Sequence, residues 1–237
     1  MPHFYVEQNN IKDDVIEVIE PNLLHHLTVA RRIKLNEIIK FIDGDKNVYK
    51  AQVINISKKN LVAKIIEKEK STRFLKYDIC LVQSILAPDG QSDLIANATQ
   101  TGVKTIYPVV SENCSSKIKN AEKWKKIADE NFKQCERADF VQIEQPKGLI
   151  EVISRFKKEN VLIFAEKFEN ISIEKSLQDI DKNSKIAVVI GPEGGFSKNE
   201  FDYFKKEGYK LISLGCMIYK APNAVIAAIS NVTSRLA

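Results

Sequence analysis

Cysteine is scarce in this chain: Cys80, Cys114, Cys135 and Cys216 are the four in 237 residues. They stand far apart, with no C-x-x-C pair and no histidine cluster nearby, so neither a zinc site nor a redox dithiol is expected and free thiols are. Long apolar runs are also lacking. No stretch of about 18 apolar residues occurs, which argues against a membrane-spanning helix. The first residues, Met1 to Tyr5, show no basic segment leading into an apolar one, and the expectation is a cytoplasmic protein. Charge of one sign is not in large excess: 36 basic and 31 acidic residues leave a net +5. That balance permits a nucleic-acid partner without demanding one. Internal repeats and low-complexity segments are absent, and a hydrophobic content of 44% is enough to build a substantial core in one or two domains.

What is present concentrates in the stretch Lys185 to Glu200. Lys185 to Ile190 reads as a strand buried on both faces, and Gly191-Pro192-Glu193-Gly194-Gly195 breaks it. Ser197 with Glu200 has the spacing of a capping box, so a helix should start there with Phe201 and Phe204 facing inward. Such a loop is either a tight connection or a surface on which another molecule meets the main chain. It has neither the Lys-Ser/Thr of a P-loop nor the G-x-G-x-x-G of dinucleotide sites, and Glu193 would repel a phosphate. A second short strand, Lys210 to Leu214, leads into Gly215-Cys-Met-Ile-Tyr-Lys-Ala-Pro-Asn223 and an apolar helix from Ala224 to Leu236.

The remainder divides by pattern. Residues 1–70 offer short strands at Val15–Ile19, Glu37–Ile42, Val48–Ile56 and Leu61–Ile66, with a turn at Asp43-Gly44-Asp45 and one helix, Leu23 to Ala30, capped by Asn22. Arg31 and Arg32 follow that helix, either complementing its dipole or contacting a polyanion. Glu67 to Lys76 is polar without periodicity and reads as a linker. From 71 to 237 strands and helices alternate: Ile79–Leu86, helix Ser92–Thr101, Thr105–Val110, helix Ala121–Arg137, Val161–Ala165, then the two loop-bearing strands. This is the pattern of an α/β domain with a mostly parallel sheet. Five lysines around Trp124, between Lys117 and Lys126, form either a solvated helix face or a phosphate-facing one.

Ile190-Gly-Pro-Glu-Gly-Gly-Phe-Ser197, the downstream Leu214-Gly215 loop and the alanine-rich last helix resemble the RsmE family, SPOUT-superfamily methyltransferases of uridine N3 in 16S ribosomal RNA. The resemblance extends to His26-Leu27 with Val29-Ala30-Arg31, to Phe41–Gly44, to Gly102-Val103, to Ser111-Glu112 and to Gln134 with Arg137. Departures lie at His3, at Asn97–Thr101, at Asn113 and above all in the second loop. There Met217 stands for an arginine, Lys220 for another, and Pro222-Asn223 for Glu-Thr.

The resemblance implies a small N-terminal PUA-like β-barrel over 1–70 that helps hold RNA through Arg31 and Arg32. It also implies a SPOUT domain over 71–237 with a deep trefoil knot. It implies S-adenosylmethionine as cofactor, with Ile190, Gly191, Glu193, Gly194, Leu214, Gly215, Ile218 and Asn223 as its site and no metal. Lys220, Arg137 and Glu193 are the implied catalytic groups. The implied partners are 16S ribosomal RNA or the small ribosomal subunit and a second copy of the chain, with no membrane. Because the second loop is altered, a relative that binds RNA or assists ribosome assembly without catalysis is the alternative, and methylation of a different RNA position a third.

Overall fold

The structure, a computed structural model, describes residues 3–114, 121–165 and 171–236. Lys117 and Lys119 of the lysine-rich stretch lie outside the described residues. The chain falls into two compact units, Met1–Phe74 with Lys133–Phe140, and Leu75–Phe132 with Val141–Ala237.

In the first unit, β1 (His3–Tyr5), β2 (Ile11–Lys12), β3 (Val15–Val18), β4 (Ile38–Ile42), β5 (Asn47–Ile56) and β6 (Leu61–Lys70) form a sheet in the order β1-β4-β5-β6-β3-β2. Alternation drives it: Ile16, Val18, Ile39, Phe41, Ala51, Val53, Leu61 and Ala63 are buried in one cluster with Leu24 and Leu27. The expected linker from Glu67 is a strand as far as Lys70. Its charged residues find cross-strand partners, with Lys50 3.7 Å from Glu67, Lys40 3.5 Å from Glu69 and the Lys68 ammonium 5.2 Å from the Tyr49 ring centre.

The helix expected over Leu23–Ala30 also differs. A short helix, α1 (Pro21–His25), is capped by Glu20, not Asn22: the Glu20 carboxylate accepts from the N–H groups of Asn22 and Leu23 at 3.2 and 2.7 Å. Pro21 at the first helical position favours a start two residues earlier. His26–Ala30 then continues as a π turn closed by Arg31 N–H to His26 C=O at 2.9 Å. His3 is half-buried with Nδ1 3.9 Å from Glu136 Oε2, and desolvation holds its pKa below the usual histidine value despite the opposing pull of Glu136.

Gly44, at φ +79°, makes the β4–β5 turn, and a Cβ there would lie 2.2 Å from the Phe140 ring. That ring is itself set edge-on to Tyr5. Gly44→Ala therefore combines a left-handed backbone penalty with displacement of an aromatic ring, a loss of about 2–3 kcal/mol. In a thermal melt this should appear as a fall of roughly 5–10 °C in the unfolding midpoint, and an unchanged midpoint would disprove the close contact.

The second unit contains β7 (Ile79–Ser84), α2 (Pro88–Gln100), β8 (Thr105–Val110), α3 (Ala121–Cys135) except its last three residues, which belong to the first unit, β9 (Gln142–Ile143), β10 (Lys147–Gly148), α4 (Leu149–Ile153), β11 (Val161–Phe164), α5 (Ile173–Ser176), β12 (Ile186–Ile190), α6 (Lys198–Glu207), β13 (Lys210–Ile212) and α7 (Ala221–Leu236). The strands run in the order β10-β8-β7-β12-β11-β13, with β9 also on β8, and every recorded pairing is parallel. Residues of β7, β11 and β12 are buried throughout, as a sheet covered on both faces requires.

Helix ends move relative to expectation. Pro88 starts α2 four residues before Ser92, and α7 begins at Ala221 with Pro222 in its first turn. The helix expected to run to Arg137 stops at Cys135, because Glu136 takes φ +54° and its carboxylate binds Arg73 and the His3 N–H. Trp124 is buried in the main cluster rather than displayed among the lysines. Among the described residues, no helix is long and apolar enough to cross a membrane and no group of His, Cys, Asp and Glu could hold a metal.

Candidate cofactor-binding site

Because β12 and β13 are parallel members of one sheet, the loops that leave them emerge on the same carboxyl edge. Open parallel sheets place ligands along that edge. The first loop follows the buried Ile190 and turns within four residues, Gly195 N–H bonding Pro192 C=O at 2.9 Å. Gly195 has φ +68° and nothing within 4 Å of a Cβ position, so the side of its α-carbon where a side chain would stand is open. At Gly191 the constraint is contact, not torsion: a Cβ would come 3.3 Å from the Phe196 ring. Phe196 is buried and meets Phe204 and Phe201 edge-on, with centres 5.2 and 5.9 Å away. It anchors the end of the loop in the core.

The capping box forms as its spacing predicts. Ser197 Oγ accepts from the Glu200 N–H at 3.1 Å and Glu200 Oε2 from the Ser197 N–H at 2.7 Å. Phe204 is fully buried and Phe201 partly so. Glu193 is exposed, and its Oε1 accepts from the Ala87 N–H at 2.9 Å. Ala87 precedes α2 and has no side-chain cap of its own. Glu193 thus supplies a carboxylate at a helix N-terminus, where negative charge is favoured.

The second loop is shaped by Ser213, whose Oγ accepts from the Gly215 N–H at 3.1 Å and donates to the Gly215 C=O at 3.0 Å. Gly215 has φ +110°. Leu214 packs against the cluster that holds Ile190, Ala221 and Ala224, so both loops rest on common core. Met217 and Ile218 are 70% and 79% exposed, and Lys220 is exposed as well. The Lys220 carbonyl accepts from the N–H groups of Asn223 and Ala224, both at 2.9 Å, and opens α7. Asn97 Nδ2 donates to Pro222 C=O at 2.9 Å, joining α2 to that start.

Other expected residues belong to the first unit. Arg137 is 5% exposed in the segment Lys133–Phe140 of the first unit, where Asp139 Oδ1 accepts from its Nη2 at 2.9 Å and Nε at 3.2 Å. Arg31 and Arg32, also in the first unit, are exposed, and Arg32 has φ +53°. Sequence reasoning missed Gln83, which is fully buried and donates from Nε2 to Gly191 C=O at 3.0 Å. Its only signal was a polar residue inside an apolar strand.

Comparison with known proteins shows the family. Residues 73–233 match a family described as an RNA methyltransferase domain, and residues 19–66 an RNA methyltransferase PUA domain. The chain belongs to the RsmE family of RNA methyltransferases. It is 30% identical to ribosomal RNA small subunit methyltransferase E of Rickettsia conorii over 96% of this chain and 93% of the relative. The enzyme of that name from Aquifex aeolicus is 31% identical, over 85% of this chain and 87% of the relative. Among solved structures, ribosomal RNA small subunit methyltransferase E from Neisseria gonorrhoeae bound to S-adenosyl methionine superposes with a TM-score of 0.81 at 26% identity, covering 99% of this chain and 97% of that one.

Proposed function

We propose that this RNA methyltransferase transfers a methyl group from S-adenosylmethionine to N3 of a uridine in 16S ribosomal RNA of the small ribosomal subunit. The observation that carries the reading is the Gly191–Gly195 loop. It is a glycine loop at the carboxyl edge of an all-parallel sheet, with no Cβ obstruction at Gly195, in a chain whose relatives are named ribosomal RNA small subunit methyltransferase E. Such a backbone suits a nucleoside, because its N–H and C=O groups can be approached closely. Backbone groups of Ile190, Gly191, Gly194, Leu214 and Gly215, with Ile218 and Asn223, would hold the cofactor. Glu193 orders the loop by its bond to Ala87.

The cofactor supplies an activated methyl on a sulfonium, and orientation is then the main task left to the protein. Uridine N3 also bears a proton, so the site requires a base or a cation beside the developing anion. Lys220 is the candidate cation on the second loop, with Arg137 and Glu193 as further catalytic candidates. Arg31 and Arg32 of the PUA-like unit would contact RNA phosphates.

The proposal includes the finer architecture of the family, a trefoil knot in the second unit and a barrel in the first, and a cytoplasmic setting beside ribosomes. It also includes a homodimer, supported by exposed Met217, Ile218 and Ile226, the last at 42% on α7. Sedimentation at micromolar concentration should give a dimer, and a monomer would count against the pairing.

One observation favours a second reading. Apolar, exposed Met217 stands where the family resemblance calls for arginine, as a binding or assembly protein without catalysis could allow. Calorimetry with S-adenosylmethionine, followed by methyl transfer to small subunits lacking the modification, tests both. Binding with N3-methyluridine formed supports the enzyme, and binding without transfer supports the alternative.

A further inference from the structure

The glycine loop is tied to the second unit by polar contacts from three segments. Gln83 Nε2 donates to Gly191 C=O at 3.0 Å, Glu193 accepts from the Ala87 N–H at 2.9 Å, and Asn113 Nδ2 donates to Gly195 C=O at 3.1 Å. The third tie comes from the turn after β8, and that turn has its own anchor. Glu200 is 6% exposed. Its Oε2 completes the capping box with the Ser197 N–H, while its Oε1 accepts from the Glu112 N–H at 3.0 Å. A capping box needs only the first of these bonds. The second joins the start of α6 to a segment 88 positions away in sequence. Asn199 Nδ2 adds contacts of 3.3 and 3.2 Å to the Glu112 carboxylate. Gly194 lies beside Asn113, since a Cβ built there would stand 3.4 Å from the Asn113 Cβ, in ordinary contact.

We propose that Glu200 and Asn113 are a pair of positioning residues: Glu200 fixes the turn after β8, Asn113 on that turn fixes Gly195, and together they set the affinity of the glycine loop for S-adenosylmethionine without touching it. The proposal rests on the reading of this loop as the cofactor site. Residue chemistry makes it specific. A carboxylate is acceptor-only and can satisfy two N–H donors at once, whereas a carboxamide turns its NH2 toward one of them. Aspartate at 113 would set an acceptor against the Gly195 carbonyl, whereas alanine would merely remove the bond.

The experiment is calorimetric titration of the full chain with S-adenosylmethionine, together with steady-state methylation and a thermal melt, for Asn113→Ala, Asn113→Asp and Glu200→Gln. Loss of one hydrogen bond should weaken binding about three- to tenfold in Asn113→Ala. The isosteric Asn113→Asp should be weaker still, an order that side-chain volume alone does not predict. Glu200→Gln should lose about tenfold. In each case the effect should fall on KM for the cofactor, with kcat at saturation within about twofold because the ties act on binding and not on the reacting atoms. Asn113 is exposed, so its variants keep the test valid even if Glu200→Gln unfolds. Affinities within twofold of the parent for both Asn113 variants would overturn the proposal. Gly194→Val serves as the control: if it abolishes binding while the Asn113 variants do not, the pairing alone is wrong, and if it too binds normally, the loop reading fails and the proposal with it.

Discussion

Gly194→Val is expected to abolish S-adenosylmethionine binding while the protein stays folded. In the structure Gly194 is exposed, its φ lies outside the left-handed region, and a Cβ would meet the Asn113 Cβ at 3.4 Å, an ordinary contact. Valine is therefore compatible with the backbone here, and the stability change should stay within about 1 kcal/mol. Conformational strain belongs instead to the next residue, Gly195, at φ +68°. What valine does at 194 is place two methyl groups over a main chain that must be approached closely. Affinity should fall by at least about a hundredfold, equivalent to about 2.7 kcal/mol. Calorimetry and a thermal melt on the same sample check both halves, and normal binding would show that the cofactor is held elsewhere.

The sequence made the glycine loop legible because its signals were local. A buried apolar run, a glycine cluster and a Ser–Glu capping box each act over a few residues, and the strand, turn and helix form where those signals stand, except that the strand starts at Ile186 and leaves Lys185 exposed. The strands over Thr105–Val110 and Val48–Ile56 were legible for the same reason. The errors came where tertiary partners override local character. Glu67–Lys70 has no apolar periodicity, yet lysine–glutamate and lysine–tyrosine contacts across the sheet hold it as strand. The long helix stops at Cys135 because Glu136 is drawn to Arg73 and His3, residues far away in sequence. For the same reason no reading of sequence order could place Lys133–Phe140 with the first unit. At the site, Gln83 and the second bond of Glu200 were invisible, since both reach across about 90 positions or more to segments that only the folded sheet brings together.

Lys220→Met is expected to lower the methylation rate on the order of a hundredfold, the scale of losing one charge-stabilising group, while changing cofactor affinity less than about threefold. The separation is possible because the main chain of Lys220 starts α7, through its carbonyl bonds to Asn223 and Ala224, while its side chain is exposed. Methionine keeps the carbonyl and most of the aliphatic stem and removes only the ammonium. With Met217 apolar, Lys220 carries the positive charge of the stretch from Leu214 to Asn223. An anion developing at uridine N3 would be stabilised by it mainly in the transition state, so turnover should suffer more than ground-state binding. Rates are to be measured at saturating cofactor on unmethylated small subunits, with affinity from calorimetry. Equal losses in both would assign Lys220 to cofactor holding, and no loss in either would make it a solvated loop lysine. The converse substitutions, Met217→Arg with Lys220→Arg, restore the planar, bidentate donors that an ammonium cannot reproduce. A large gain in activity would mark the chain as a weakened enzyme, whereas no gain in an already active protein would show that exposed Met217 and Lys220 suffice for the reaction in this second loop.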